Sequence, residues 1–163
     1  MGTEKKKQLG VLGVVIAIVV VLIVGVLVVA VSSGWFGDSK VVLDTEYVGE
    51  FQDFMPLSIS EYDNLIKEGK SFVVFVDQEG CTTADRLRGY VEDYAKEKGL
   101  KVYRIMFSEV RESSMHEFVK FYPSVVLISR GKPVAWLRAD ADEDADAYND
   151  YDSFRGWIGR YLE

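Results

Sequence analysis

The sequence predicts an α/β domain whose mainly parallel sheet is covered by helices on both faces, preceded by one transmembrane helix. Three observations indicate this architecture. A long run of uncharged, apolar residues lies near the N-terminus. Beyond it, short segments rich in β-branched and aromatic residues alternate with segments of helical periodicity. The last two strand segments are joined by a glycine-containing turn, which is typical of an antiparallel hairpin.

The apolar run covers residues 11–31. A helix of this length spans about the 30 Å hydrocarbon core of a bilayer. Its β-branched residues would favour a strand in water, but in lipid a lone strand leaves its backbone groups without partners, whereas a helix does not. We therefore expect one membrane-spanning helix, with residues 1–10 as a tail.

The flanking charges predict the orientation of this helix. Lys5, Lys6 and Lys7 precede it and Asp38 follows it. The positive-inside rule then places the N-terminus in the cytoplasm and the domain outside the cell membrane. The alternative is a cleaved signal peptide, which would release a secreted protein, although the run is longer than a usual signal core.

Charge and cysteine content exclude several functions. Beyond the N-terminal lysines the chain has 16 basic and 25 acidic residues, a net charge of about −9. Such a surface does not bind nucleic acid or an anionic membrane face. The chain has one cysteine, so no internal disulfide can form. Nothing in the sequence indicates a cofactor, and it does not define an oligomeric state.

The element pattern divides the rest of the chain into a juxtamembrane stalk, residues 32–54, and a domain, residues 55–163. The predicted order in the domain is βαβαβαββα. The predicted strands are residues 56–59, 71–77, 101–107, 124–128 and 134–138. Strands that alternate with helices favour a parallel sheet, with the final hairpin at one edge.

Four helices are predicted between and after these strands. The first begins at Ser60, with Asp63 as its capping partner, and ends at Gly69. The second covers residues 81–98, and the third is a short helix from Ser114 to Phe121 with a Ser114–Glu117 capping box. The last begins near Tyr151 and carries an apolar face formed by Phe154, Trp157, Ile158, Tyr161 and Leu162.

Two segments of this pattern resemble the thioredoxin family. The strand that runs into Gly80 and Cys81 is similar to the family's central strand and the active-site cysteine at the start of the following helix. Pro123, before the last hairpin, matches the family's cis-proline, and its spacing from Cys81 is close to the family's. The resemblance covers residues 55–163 and implies a thioredoxin-like fold with a cis bond before Pro123.

The resemblance also implies a binding site, because in the family the backbone beside the cis-proline pairs with an extended protein segment. We therefore expect Pro123 and its neighbours Tyr122 and Ser124 to contact a partner. The sequence departs from the family at three positions. Ala84 replaces the second cysteine of the Cys-x-x-Cys motif, Gly80 replaces the tryptophan before the motif, and Phe75 replaces the family's buried acidic residue.

Cys81 is the candidate catalytic residue. A thiolate can form a mixed disulfide, but a second thiol must then release the product, and this chain has none. A helix N-terminus favours the thiolate, whereas the carboxylates of Glu79 and Asp85 oppose it and Arg86 and Arg88 offset them in part. These residues predict a poorly reactive thiol.

The acidic stretch at residues 140–152 raises the question of a metal. Its alternating aspartates resemble a calcium loop: Asp140, Asp142, Asp144 and Asp146. However, an alanine stands where such a loop needs glycine, and the closing position lacks its glutamate. We therefore expect a solvated acidic loop near Cys81 and Pro123, with calcium as the weaker alternative. The only histidine, His116, has no second ligand and is expected on the surface.

Two classes of function remain. The first is a non-catalytic module that binds extended segments of protein partners in the cell envelope. The sequence does not distinguish this module from a structural subunit of an envelope complex. The second is a monothiol exchange or isomerase-like protein in which Cys81 reacts with thiol-containing partners. The missing second cysteine favours the first.

Overall fold

The computed structural model describes residues 40–163, through which a five-stranded mixed sheet runs. The strands are β1 (Met55–Pro56), β2 (Phe72–Asp77), β3 (Tyr103–Met106), β4 (Ser124–Ser129) and β5 (Lys132–Trp136). Their order across the sheet is β1-β3-β2-β4-β5. β1, β3 and β2 are parallel, and β4 and β5 run antiparallel to their neighbours. The predicted arrangement of strands is confirmed.

Strand β2 is at the centre of the sheet because its side chains are apolar on both faces. All six of its residues are buried, as expected for a strand covered on both sides. Val74 pairs with Tyr103 of β3 on one side and with Val126 of β4 on the other. The ring of Phe72 lies among Tyr47, Tyr62 and Tyr103, with centroids 5.6–6.3 Å apart.

Four α-helices accompany the sheet: α1 (Ile59–Lys67), α2 (Thr82–Lys98), the short α3 (Phe107–Val110) and α4 (Tyr151–Tyr161). The predicted start of α1 is wrong. Its N-cap is Ser58, whose hydroxyl accepts a hydrogen bond from the Glu61 N–H at 3.3 Å. The serine three residues before a glutamate therefore caps this helix, not Ser60 with Asp63.

The predicted face of α2 is confirmed. Ala84, Leu87, Val91 and Tyr94 are buried, and α2 packs on β2 and on α4. The helix ends at Gly99, which takes the left-handed conformation with φ 63°, a geometry that favours glycine. In α4, Phe154, Trp157 and Ile158 are buried as predicted.

The segment between β3 and β4 differs from the prediction. Helix α3 follows β3 directly, and Ser114–Glu117 is a single turn of 3-10 helix. No capping box forms there, because the N-cap position is Ser113, and its hydroxyl donates to the Val110 carbonyl instead of accepting from the helix. A polar side chain that bonds backward in this way cannot cap the next turn.

Residues 40–54 belong to the compact unit that covers Lys40–Glu163, so the predicted domain boundary at residue 55 is placed too late. Val41 pairs with the end of the chain through Leu162. Tyr47 and Phe51 are buried in the core. The sequence places these side chains in a stalk, because the segment is too short and too irregular to show a period.

The predicted transmembrane helix at residues 11–31, the tail before it and the first part of the predicted stalk lie outside the described residues. From Lys40 to the C-terminus, no helix is both long and apolar enough to cross a membrane.

Candidate functional site

The pairing of β2 with β4 brings the two predicted site segments to the same end of these strands, where loops form the edge of the sheet. Val76, near the carboxyl end of β2, pairs with Ser124, the first residue of β4. Cys81 follows β2 after a short turn, and Pro123 directly precedes β4. Since the strands are antiparallel, both segments lie beyond the same end of the sheet.

Cys81 is the N-cap residue of α2 and is partly exposed. Its backbone is extended, with φ −107° and ψ 115°, and its carbonyl accepts from the Asp85 N–H at 3.0 Å. The side chain makes no capping hydrogen bond. Ala84, one turn further on, is fully buried. The thiol therefore faces a helix N-terminus without a second sulfur beneath it.

Of the two arginines expected to offset the acidic neighbours of Cys81, Arg88 pairs with one of them, Asp85, and also with the buried Asp77. Arg88 donates to both carboxylate oxygens of Asp77, at 2.8 and 3.0 Å, and to Asp85 at 2.9 Å. Arg86 donates to the carbonyl of Tyr148 at 3.4 Å. Glu79 is exposed beside the thiol. Arg88 therefore offsets Asp85, as expected, but it shares its charge with Asp77.

The peptide bond between Tyr122 and Pro123 is cis, as the resemblance implied. Among the hydrogen bonds within residues 40–163, none uses the N–H or the C=O of Tyr122. Phe121 is 51% exposed directly before it. The chain thus presents an unpaired backbone donor and acceptor next to an exposed aromatic ring.

The Tyr122 side chain, in contrast, is held firmly. Its hydroxyl donates to the Val119 carbonyl at 3.3 Å and lies 3.0 Å from His116 Nδ1. Its ring packs against Phe107 at 5.1 Å between centroids. His116 is partly exposed in its 3-10 turn, and its ring supports the loop before Pro123.

Ser124 does not present its side chain to a partner. It is fully buried, and its hydroxyl donates to the Leu137 carbonyl at 2.7 Å. This hydrogen bond joins β4 to the residue that follows β5. Of the three predicted binding residues, Tyr122 is partly exposed, whereas Pro123 and Ser124 are buried and support it from within.

Solved thioredoxin structures share this architecture. The oxidised thioredoxin of Plasmodium falciparum superposes with a TM-score of 0.51 at 19% identity, over 68% of this chain and 100% of that one. Fasciola hepatica thioredoxin gives a TM-score of 0.50 at 21% identity, over 66% and 99%. This chain has a thioredoxin fold. No protein-family model matches the sequence, and no curated protein matches it significantly.

Within the thioredoxin fold, the acidic stretch is more ordered than predicted. Asp142–Tyr148 forms a 3-10 helix. Asp144 is buried and accepts from the Arg138 backbone N–H at 3.0 Å and from its guanidinium, which also pairs with Glu143. Because Asp144 turns inward, the four aspartates do not converge, and residues 40–163 contain no cluster of acidic, histidine or cysteine side chains arranged for a metal ion.

Tyr148 fixes this acidic helix beside the cis-proline loop, a role that the sequence did not reveal. Its buried hydroxyl lies 2.9 Å from the Pro123 carbonyl and 3.1 Å from the Leu137 carbonyl. Burial raises the pKa of Tyr148 far above its ordinary value, and the carboxylates of Asp144 and Asp140 raise it further. The phenol therefore stays a donor at any physiological pH. In the sequence, this role is indicated only by Ala147 and Tyr148, two apolar residues that stand together within the acidic stretch.

A buried carboxylate also lies below the site, although Phe75 is apolar as predicted. Asp77 ends β2, is fully buried, and pairs with Arg88 of α2 and with Arg104 of β3, the latter at 2.7 Å. Burial alone would raise the pKa of Asp77. The hydrogen bonds from Arg88 and the Gln78 N–H, with both arginine charges, outweigh it and hold that pKa below its ordinary value.

The Asp77 cluster gives a testable pH dependence. A carboxyl group whose pKa is lower in the folded state stabilises the fold above about pH 4, and this contribution is lost as the pH falls further. Asp77→Asn should lower the free energy of unfolding by about 1–3 kcal/mol at pH 7, because charged hydrogen bonds are lost. The difference from the unmodified chain should shrink at pH 3. Urea unfolding followed by tryptophan fluorescence measures both.

Asp85→Asn is the matched control, because Asp85 pairs with the same arginine but its side chain is 61% exposed. We expect it to cost at most about 1 kcal/mol, as for other surface ion pairs. Equal losses for the two variants, or an Asp77→Asn loss that is the same at pH 3 and pH 7, would contradict this account of the cluster.

Proposed function

We propose that this chain is a membrane-tethered thioredoxin-fold module that binds extended protein segments outside the membrane and does not turn over disulfides. The observation that carries the proposal is the unpaired backbone of Tyr122 beside Pro123. Backbone N–H and C=O groups rarely stay without partners once they are buried, as they are at an interface. At this edge, a segment of another protein can supply them.

An extended segment suits this edge for geometric reasons. Strand addition uses backbone hydrogen bonds for affinity and side-chain contacts for specificity. The Tyr122 donor and acceptor belong to one residue, so they match one residue of an extended partner. The ring of Phe121 offers an adjacent apolar contact. Residues that support the loop, such as Ser124 and Tyr148, are already satisfied internally.

The same site lacks what a dithiol cycle requires. Attack of a Cys81 thiolate on a disulfide forms one new S–S bond and releases one thiolate, so the enzyme is left in a mixed disulfide. Release needs a second thiol, and the position that could supply it holds the buried methyl group of Ala84. An external thiol would have to complete every turnover.

Monothiol exchange is the second candidate, because Cys81 is partly exposed and its side chain makes no capping bond to the helix. The reaction would leave a partner protein attached to Cys81 through a mixed disulfide. A small thiol would then attack the partner's sulfur, form a new disulfide with the partner and release Cys81 as a thiolate. Fast alkylation of Cys81 at neutral pH would favour this candidate, and slow alkylation favours binding.

Binding is tested by site-specific photo-crosslinking in intact cells. A benzophenone amino acid in place of Phe121 should capture segments of other envelope proteins, identified by mass spectrometry. The control position is Glu68, which is exposed. It lies near Lys70, whose carbonyl accepts a hydrogen bond from the Gly131 N–H in the β4–β5 turn, at the opposite end of the sheet. The same products at both positions, or none at Phe121, would refute the proposal.

The tether is supported by the apolar run at residues 11–31 and by the lysines before it. Protease added to intact cells should digest the domain and leave an N-terminal tag protected. A domain that resists external protease until the membrane is permeabilised would exclude the orientation. A mature chain that lacks the apolar run would instead indicate a cleaved signal peptide.

A further inference from the structure

An apolar groove continues from the cis-proline loop toward β5. Its cavity of about 120 Å³ is bordered by Phe118, Phe121 and Trp136. The rings of Phe118 and Trp136 are in contact, with centroids 5.1 Å apart. Phe121 is half exposed, and Leu137 closes the floor. A groove of this kind accepts an apolar side chain from a docked segment.

The groove borders an acidic segment, Asp140 to Asp146, called the rim. Asp140 lines the groove directly, and the 3-10 helix that follows Asp140 in the chain carries the exposed carboxylates of Asp142 and Asp146. Arg138 also lines the groove, but its charge is neutralised by the carboxylates of Glu143 and Asp144. Lys120 contributes one positive charge at the border. The balance at this rim is negative.

The placement of these carboxylates is fixed by the fold. The Tyr148 hydroxyl ties their helix to the Pro123 carbonyl, and Arg86 of α2 holds the Tyr148 carbonyl. On the α2 side, Glu79 is exposed, whereas Asp85 is paired with Arg88. The Tyr148 hydrogen bond therefore joins the loop of Tyr122 to a helix that carries exposed carboxylates.

We infer that the segment recognised here is basic: an extended stretch that places an apolar side chain in the Phe118–Phe121–Trp136 groove and lysine or arginine residues beside the acidic rim. The inference rests on the proposed binding function and specifies its partner. Complementary charge accelerates association and rejects partners of like charge. Since the rim is exposed, salt screens the attraction.

The test uses the full chain, purified in a non-ionic detergent, and three fluorescein-labelled peptides with identical leucine and phenylalanine anchors. The flanking residues are lysine in the first, glutamine in the second and glutamate in the third. Fluorescence anisotropy should give tightest binding for the lysine peptide, by about tenfold over glutamine. A rise from about 50 to 500 mM salt should remove most of that advantage.

Two variants separate the groove from the rim. Asp142→Asn with Asp146→Asn should weaken the lysine peptide several-fold and leave the glutamine peptide unchanged. The control with the same charge change, Glu50→Gln with Glu68→Gln, alters carboxylates away from this edge and should have little effect. Phe121→Ala should weaken all peptides that bind, whereas Val42→Ala, at a residue that is more exposed than Phe121, should weaken none.

Failures of the two proposals are distinguishable. Equal affinity for the three peptides, with crosslinks at Phe121 retained, would overturn the basic specificity and leave the binding function intact. Equal effects of the rim and control variants would overturn it as well. If none of the peptides binds and Phe121 captures no partner, the proposed binding function itself fails.

Discussion

Strand β2 pairs with β3 on one side and β4 on the other, and the rest of the domain depends on this double pairing. The strand can occupy the centre of the sheet because both of its faces are apolar except at Asp77, where two arginines neutralise the buried charge. Its register against β4 sets Val76 opposite Ser124. That register brings the Cys81 turn and the cis-proline loop to the same edge.

From this edge outward, internal hydrogen bonds divide the site into a fixed frame and an open surface. Ser124 and Tyr148 direct their hydroxyls inward, and Tyr122 directs its ring and hydroxyl into the loop. The backbone of Tyr122 is left without a partner among the described residues. A rigid frame around an unpaired backbone edge lowers the entropic cost of binding an extended segment. The thiol of Cys81 lies at the same end of the sheet, and the chain has no second cysteine to pair with it.

Much of the fold could be predicted from the sequence, because periodicity reports burial directly. The apolar β2 and the face of α2 through Leu87 and Val91 follow from it. The cis bond at Pro123 came from a resemblance. Contacts that depend on tertiary structure could not be predicted: the inward turn of Asp144, the Tyr148 hydroxyl on Pro123 and the packing of Tyr47 each join segments far apart in the chain. The ion pairs of Asp77 could have been predicted, since a carboxylate at the end of a strand that is buried on both faces needs a positive partner.

We propose that this thioredoxin fold binds protein segments without catalysing disulfide exchange, and turnover of a disulfide substrate tests this most directly. The full chain, supplied with a reductant, is assayed for insulin reduction beside the same chain with Ala84→Cys. The account predicts no turnover above the reductant alone for the unmodified chain. Ala84→Cys is the single change best placed to restore activity, because it supplies the resolving thiol. Multiple turnovers by the unmodified chain, lost on Cys81→Ser, would contradict the account and establish Cys81 as a catalytic nucleophile.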